Sequence, residues 1–133
     1  MIELRLPSVL QSIRAIEPAV SGLPGWGELS EQIRHNVVLS TTELVTNAII
    51  HGNRSQQDRL VVVEVEIKTS EIVIVVADEG AGFDLAAIAD PTDAEHRERL
   101  SGRGLYIVRN LVHSLTVDRA ADSCRVTIII RLS

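Results

Sequence analysis

Aromatic side chains are nearly absent: Trp26, Phe83 and Tyr106 make up 2% of the 133 residues. A core must therefore be assembled from Val, Ile, Leu and Ala, and an apolar content of 45% is enough to build one. Cysteine occurs once, at Cys124, which excludes an intrachain disulfide and a cysteine-rich zinc site and leaves a small buried strand residue as its expected role. No apolar run reaches the length that a membrane span needs, and Glu3 and Arg5 interrupt the start of the chain, so neither a membrane segment nor a secretory leader is expected. Positive charge is also short. The net charge of −5 and the lack of a basic stripe argue against direct nucleic-acid binding, and they leave room for a basic partner surface. No repeat or low-complexity tract is visible. What remains is a single domain over residues 1–133, expected in the cytoplasm.

Hydrophobic periodicity divides that domain into elements. "IELRLP" alternates and stops at Pro7, as a short strand does. "SVLQSIRAIEPAVSGL" opens on Ser8, a candidate N-cap, and spaces Leu10, Ile13, Ile16 and Val20 for a helix that Pro18 ends or kinks. After the loop "PGWGE", in which Trp26 serves as an anchor, a second helix is expected from about Leu29 to His51, with Gly52 as its stop. "LVVVEVEI" and "EIVIVVAD", parted by "KTS", form a hairpin. Residues 79–102 are rich in Gly, Ala, Asp and Pro, a long segment of the kind that is usually functional. "GLYIVRNLVH" is helical, and "SLTVDR" and "CRVTIIIRL" are strands around "AADS". Hairpin connections dominate this order. They predict an α+β fold: a two-layer sandwich whose mixed, mostly antiparallel sheet is covered on one face by about three helices.

Three stretches carry polar residues where packing alone would not ask for them. In the helix that ends in "ELVTNAIIHGN", at roughly 100° per residue, Asn36, Ser40, Glu43 and Asn47 fall on one strip of an otherwise apolar surface. Such a strip either faces water or faces a ligand carrying a cation or a transferable proton, since an unpaired buried carboxylate is costly. In "ADEGAGFD", Asp78 ends a strongly apolar strand, and Gly80 and Gly82 follow it. A plain turn explains one glycine; two glycines beside an acid fit a ligand edge. In "SGRGLYIV", Gly102 and Gly104 open a helix whose N–H groups and dipole suit an anion, with Arg103 able to add a charge-assisted contact. A glycine-rich helix start with a solvated arginine is the plainer alternative. No Rossmann fingerprint or Walker A sequence is present, so a phosphate site would need another architecture. His35, His96 and His113 show no metal-ligand spacing.

In order and separation, these stretches resemble the motifs of the Bergerat-fold ATPases, the superfamily of gyrase, the histidine kinases and the mismatch-repair ATPases. "ELVTNAIIH" looks like the N-box, "DEGAG" like the first glycine box and "GRGL" like the second. Within that superfamily the chain is most similar to the bacterial anti-sigma factor serine/threonine kinases, over "DEGAGFD…DPTDAEHRERLSGRGLYIVRNLV" and again over "LRLPSVLQSIRAI". Leu85 departs from that pattern, where a proline often follows "GFD".

The resemblance implies ATP and Mg²⁺ as cofactors and gives each site residue a role. Asn47 would hold Mg²⁺ against the phosphates, and Glu43 would orient or deprotonate the attacking hydroxyl. Asp78 would accept a hydrogen bond from the adenine amino group, with Gly80 and Gly82 admitting a mobile ATP lid over about residues 84–101. Gly102, Arg103 and Gly104 would cradle phosphates, Leu105 would join them in binding the nucleotide, and Thr127 would stand near the adenine or serve as an ordinary strand residue. His51 is expected to play a helix-end structural role. The implied function is that of an ATP-binding anti-sigma factor that sequesters a sigma factor, phosphorylates an anti-anti-sigma antagonist on serine or threonine, and forms a homodimer. The alternatives are a nucleotide-dependent regulator without kinase activity and a related switch kinase that does not bind sigma.

Overall fold

The computed structural model describes residues 1–80 and 107–132. Among these residues the strands are β1 (Ile2–Pro7), β2 (Leu60–Ile67), β3 (Glu71–Asp78), β4 (Ser114–Arg119) and β5 (Cys124–Arg131). They form one sheet in the order β1-β2-β3-β5-β4, and every pairing is antiparallel. The expectation of a mixed sheet is corrected in that respect. The hairpins lie where the sequence put them: Lys68 N–H donates to the Glu71 carbonyl at 2.8 Å, and Ala120 N–H donates to the Ser123 carbonyl at 2.8 Å.

Alternation decides which face is covered. Val61, Val63 and Val65 of β2, Ile72, Ile74 and Val76 of β3, and Val126, Ile128 and Ile130 of β5 are buried on one face. Fully burying an aliphatic side chain of this size contributes about 1.5–3 kcal/mol, so these nine residues form the stabilising slab of the domain. Helices α1 (Ile16–Ser21) and α2 (Glu31–Asn47) supply its other half through Ile16, Val20, Val37, Leu44 and Val45, all buried. Val108, in a helical stretch over 107–111, is buried in the same core.

The first helical segment differs from the sequence reading. Leu10–Ala15 is a 3₁₀ helix, and the chain becomes α-helical only at Ile16. Pro18 neither ends nor kinks it. It sits in the first turn of α1, where a missing N–H removes no intrahelical bond. Ser8 is not the N-cap either: Val9 holds that position without a side-chain cap, and the Ser8 hydroxyl donates to the Arg59 carbonyl at 2.7 Å.

Helix α2 starts at a true cap, where Ser30 Oγ accepts the Ile33 N–H at 3.2 Å. Its buried positions, Val37, Ser40, Thr41, Leu44, Val45 and Asn47, follow the helical period. The helix does not end at Asn47. It widens into a π-helical turn over Ala48–Gly52, closed by Asn53 N–H donating to the Ala48 carbonyl at 2.7 Å. Single π turns of this kind recur at functional sites. Among the described residues, no helix is long and apolar enough to cross a membrane.

Candidate functional site

The π turn carries the end of α2 onto the end of β3. The approach is so close that a Cβ on Gly80 would collide with the Gly52 carbonyl, and a Cβ on Gly52 would collide with the Asp78 carboxylate. Both positions therefore demand glycine for space, and neither has a positive φ. Asp78 lies beneath this contact at 5% exposure. Its Oδ1 accepts the Gly80 N–H at 2.8 Å. Burial raises its pKa and the Gly80 bond lowers it, with a net rise, so desolvation outweighs the one bond.

On α2, Asn47 is 2% exposed, and its Nδ2 donates to the Glu43 carbonyl at 2.8 Å. With the nitrogen committed, the carbonyl oxygen is the end of that amide able to act as a ligand, which fits a hard cation such as Mg²⁺. Glu43 is half-buried on the preceding turn, and burial raises its pKa. The strip read from the sequence divides at its other end. Asn36 accepts from Gln32 at 2.9 Å near solvent, whereas the Ser40 hydroxyl is buried without a hydrogen-bond partner. His51, placed in line with Glu43 and Asn47 by simple helical periodicity, is exposed at the helix end.

Thr127 is not brought to the site. It pairs with Val75 in β3 and Thr116 in β4, and it shares its face with Arg125 and Arg131, away from the helices. Cys124 stands across from Asp78 in the register and is 1% exposed on the covered face. The signal was present in the sequence: Thr127 has the parity of two arginines, and Cys124 has the parity of Val126, Ile128 and Ile130. Gly82, Gly102, Arg103, Gly104, Leu105 and the lid at 84–101 lie outside the described residues.

Two measurements test this geometry. Gly80→Ala should destabilise the fold by roughly 1–3 kcal/mol or more, because the new methyl meets backbone that cannot rotate away. Gly27→Ala, with nothing within 4 Å of the added methyl, should not. Equal urea midpoints for the two variants would refute the close approach. The second measurement concerns pH. Because folding raises the Asp78 pKa, the unfolded chain ionises first, and the residue increasingly disfavours folding as pH climbs through the ordinary carboxylate range toward the folded value. Asp78→Asn should therefore melt higher than wild type near neutral pH and lose that advantage in acid. A variant that melts lower at neutral pH would mean that the contacts of the charged carboxylate outweigh its desolvation.

Comparison with known proteins places this geometry. The family model described as the histidine kinase-like ATPase domain matches residues 6–131. The anti-sigma F factor of Clostridium beijerinckii is 34% identical over 87 residues, covering 63% of this chain and 60% of that protein. The chain thus spans about three fifths of that relative's length. The serine-protein kinase RsbW of Oceanobacillus iheyensis is 24% identical over 123 residues, 88% of this chain and 78% of that one. Among solved structures, the histidine kinase domain of a blue-light-activated histidine kinase from Erythrobacter litoralis superposes with a TM-score of 0.59 at 19% identity, covering 95% of this chain and 61% of that one; it shares the fold. With a family match across nearly its whole length, the chain belongs to the histidine kinase-like ATPase family.

Proposed function

We propose that this chain is an ATP-binding anti-sigma regulator with serine/threonine kinase activity, which sequesters a sigma factor, phosphorylates an anti-anti-sigma antagonist and acts as a homodimer. The observation that carries the reading is a convergence. Glu43 and Asn47 sit one turn apart on α2, and the same helix end presses on the strand end that holds Asp78 and Gly80. The carboxylate that would recognise the base and the amide and acid that would face the phosphates thus lie on two elements that meet at one junction. The names of two similar proteins, an anti-sigma F factor and a serine-protein kinase, support the regulatory and catalytic halves of the reading.

In this reading Asp78 accepts the adenine amino group, and Gly80, with Gly82 beyond it, lets the chain approach the nucleotide. Asn47 presents its amide oxygen to Mg²⁺, which when bound offsets charge on the phosphates. Gly102, Arg103 and Gly104 take the phosphate end by the resemblance of their motif, with Leu105 beside them in the nucleotide site. Glu43 accepts the proton of a seryl or threonyl hydroxyl as that oxygen bonds to the γ-phosphorus; the bond from the γ-phosphorus to the bridging oxygen breaks, and ADP leaves. The burial that raises the Glu43 pKa moves it toward the range in which a carboxylate serves as a base near neutral pH.

Glu43→Gln separates chemistry from binding. It keeps the shape of the side chain and removes the base, so ATP affinity and sigma binding should stay near wild type while phosphoryl transfer to the antagonist falls by about 10²–10⁴-fold. Calorimetry and single-turnover transfer on one preparation measure both. Transfer at the wild-type rate would remove Glu43 from the chemistry. If wild-type protein binds ATP and sigma yet phosphorylates no antagonist that it binds, a nucleotide-dependent regulator without kinase activity replaces this reading.

A further inference from the structure

Next to the proposed nucleotide site lies a side chain that the family motifs do not assign. Asn53 is fully buried, at 0% exposure. Its Nδ2 donates to Ser8 Oγ at 2.9 Å and to the Leu60 carbonyl at 3.1 Å, and its Oδ1 accepts the Glu79 N–H at 2.8 Å. The Glu79 carboxylate in turn accepts the Leu60 N–H at 2.7 Å. Asn53, Glu79 and Leu60 thus close a ring of three hydrogen bonds that joins the end of the π turn, the end of β3 and the start of β2. Ser8, itself bonded to the Arg59 carbonyl, ties the end of β1 to the same ring.

The ring bears on one residue above all. The Glu79 nitrogen belongs to the peptide that begins at the Asp78 carbonyl carbon, so fixing that N–H fixes the backbone rotation of Asp78. From the other side, the Gly80 N–H holds the Asp78 carboxylate. The backbone after Asn53 is held in an unusual form as well. Arg54 and Ser55 have φ of 51° and 56°, a left-handed conformation that non-glycine residues seldom adopt. Ser55 N–H reaches back to the Ile49 carbonyl at 2.7 Å. Two successive left-handed residues persist only where their surroundings over-determine them, and here backbone bonds hold the turn, the Gln56 N–H donating to the Asn53 carbonyl at 3.0 Å.

We infer that Asn53, with Glu79, is a positioning residue that sets the direction of the Asp78 carboxylate and so the preference of the site for an adenine over a guanine base. The inference rests on the nucleotide reading proposed above. Adenine presents an amino group where guanine presents a carbonyl, so a fixed acceptor attracts the first and repels the second. A carboxylate free to turn loses both effects and leaves contacts to the phosphates unchanged.

The test is calorimetric titration of the full chain with MgATP, MgGTP and inorganic tripolyphosphate. Asn53→Ala should weaken ATP by roughly tenfold, the loss expected for a misaligned charge-assisted bond, and leave tripolyphosphate unchanged, so the ATP-over-GTP preference narrows. Glu79→Ala should move in the same direction. Glu79→Gln, which keeps an oxygen for the Leu60 N–H, should restore the preference that Glu79→Ala loses. A purely structural role would lower the melting temperature and leave the preference of the folded protein intact; that result overturns the inference. If Asn53→Ala does not fold, the Glu79 pair decides alone, and an unchanged preference in Glu79→Ala overturns it. A wild-type chain that binds tripolyphosphate but no adenine nucleotide overturns the adenine reading, and this inference with it.

Discussion

The contact between the backbones of Gly52 and Gly80 is the constraint from which the site follows. Helix α2 keeps regular α geometry as far as Asn47. The π turn over Ala48–Gly52 extends it, and the absence of two Cβ atoms lets it touch the chain just beyond β3. Asp78 is trapped under that contact, which is why a carboxylate at the end of a strand is 5% exposed and has a raised pKa. The same contact fixes where α2 presents Glu43 and Asn47, because both precede the π turn on a helix anchored at that end.

Polar cost collects along α2 and at this junction. Asp78 and Glu43 both resist ionisation because they are partly withdrawn from water, Ser40 Oγ is buried without a partner, and Arg54 and Ser55 hold left-handed backbone. The inner faces of β2 and β3 are by contrast dry apart from Asp78 at the rim. A fold of this size has a net stability of only about 5–15 kcal/mol, so such groups persist where the apolar slab offsets them. Asn53 is where slab and junction meet: every proton of its amide is committed, and each bond runs to a different segment of the chain or closes the ring with Glu79.

What was legible in the sequence was whatever a local period writes. Alternation gave the two hairpins, the 3.6-residue period gave α2, and Gly52 stands at its end much as a stop should, whereas the start expected at about Leu29 moves to Glu31, behind the Ser30 cap. The polar strip was legible too, since Glu43 and Asn47 interrupt an apolar face. Side-chain bonds across long sequence separations were not. Ser8 preceding a helical pattern reads as a cap, yet its hydroxyl bonds 51 residues away, to a carbonyl that only the β1–β2 pairing brings near. Asn53 is the same case: nothing within a few positions of it reveals Glu79 or Ser8 as partners. The π turn was hidden as well, because the signal for a widened turn lies in what the helix end must reach.

Thr127 shows how a resemblance and a register differ in what they specify. A motif proposes a residue type at a position along the chain, and a sheet assigns it a face. In β5 the assignment follows from counting: Arg125 and Arg131 cannot point into the dry layer, so Thr127, an even number of residues from each, cannot either. The residue that reaches the covered face beside Asp78 is Cys124, its register partner. A thiol is a weaker hydrogen-bond donor than a hydroxyl and more easily buried. The wall beside Asp78 is therefore less polar than a threonine would make it. A less polar wall strengthens the desolvation that already raises the Asp78 pKa, and against it the hydrogen bond from Gly80 N–H, with the Asn53 ring behind it, helps to hold that carboxylate in place.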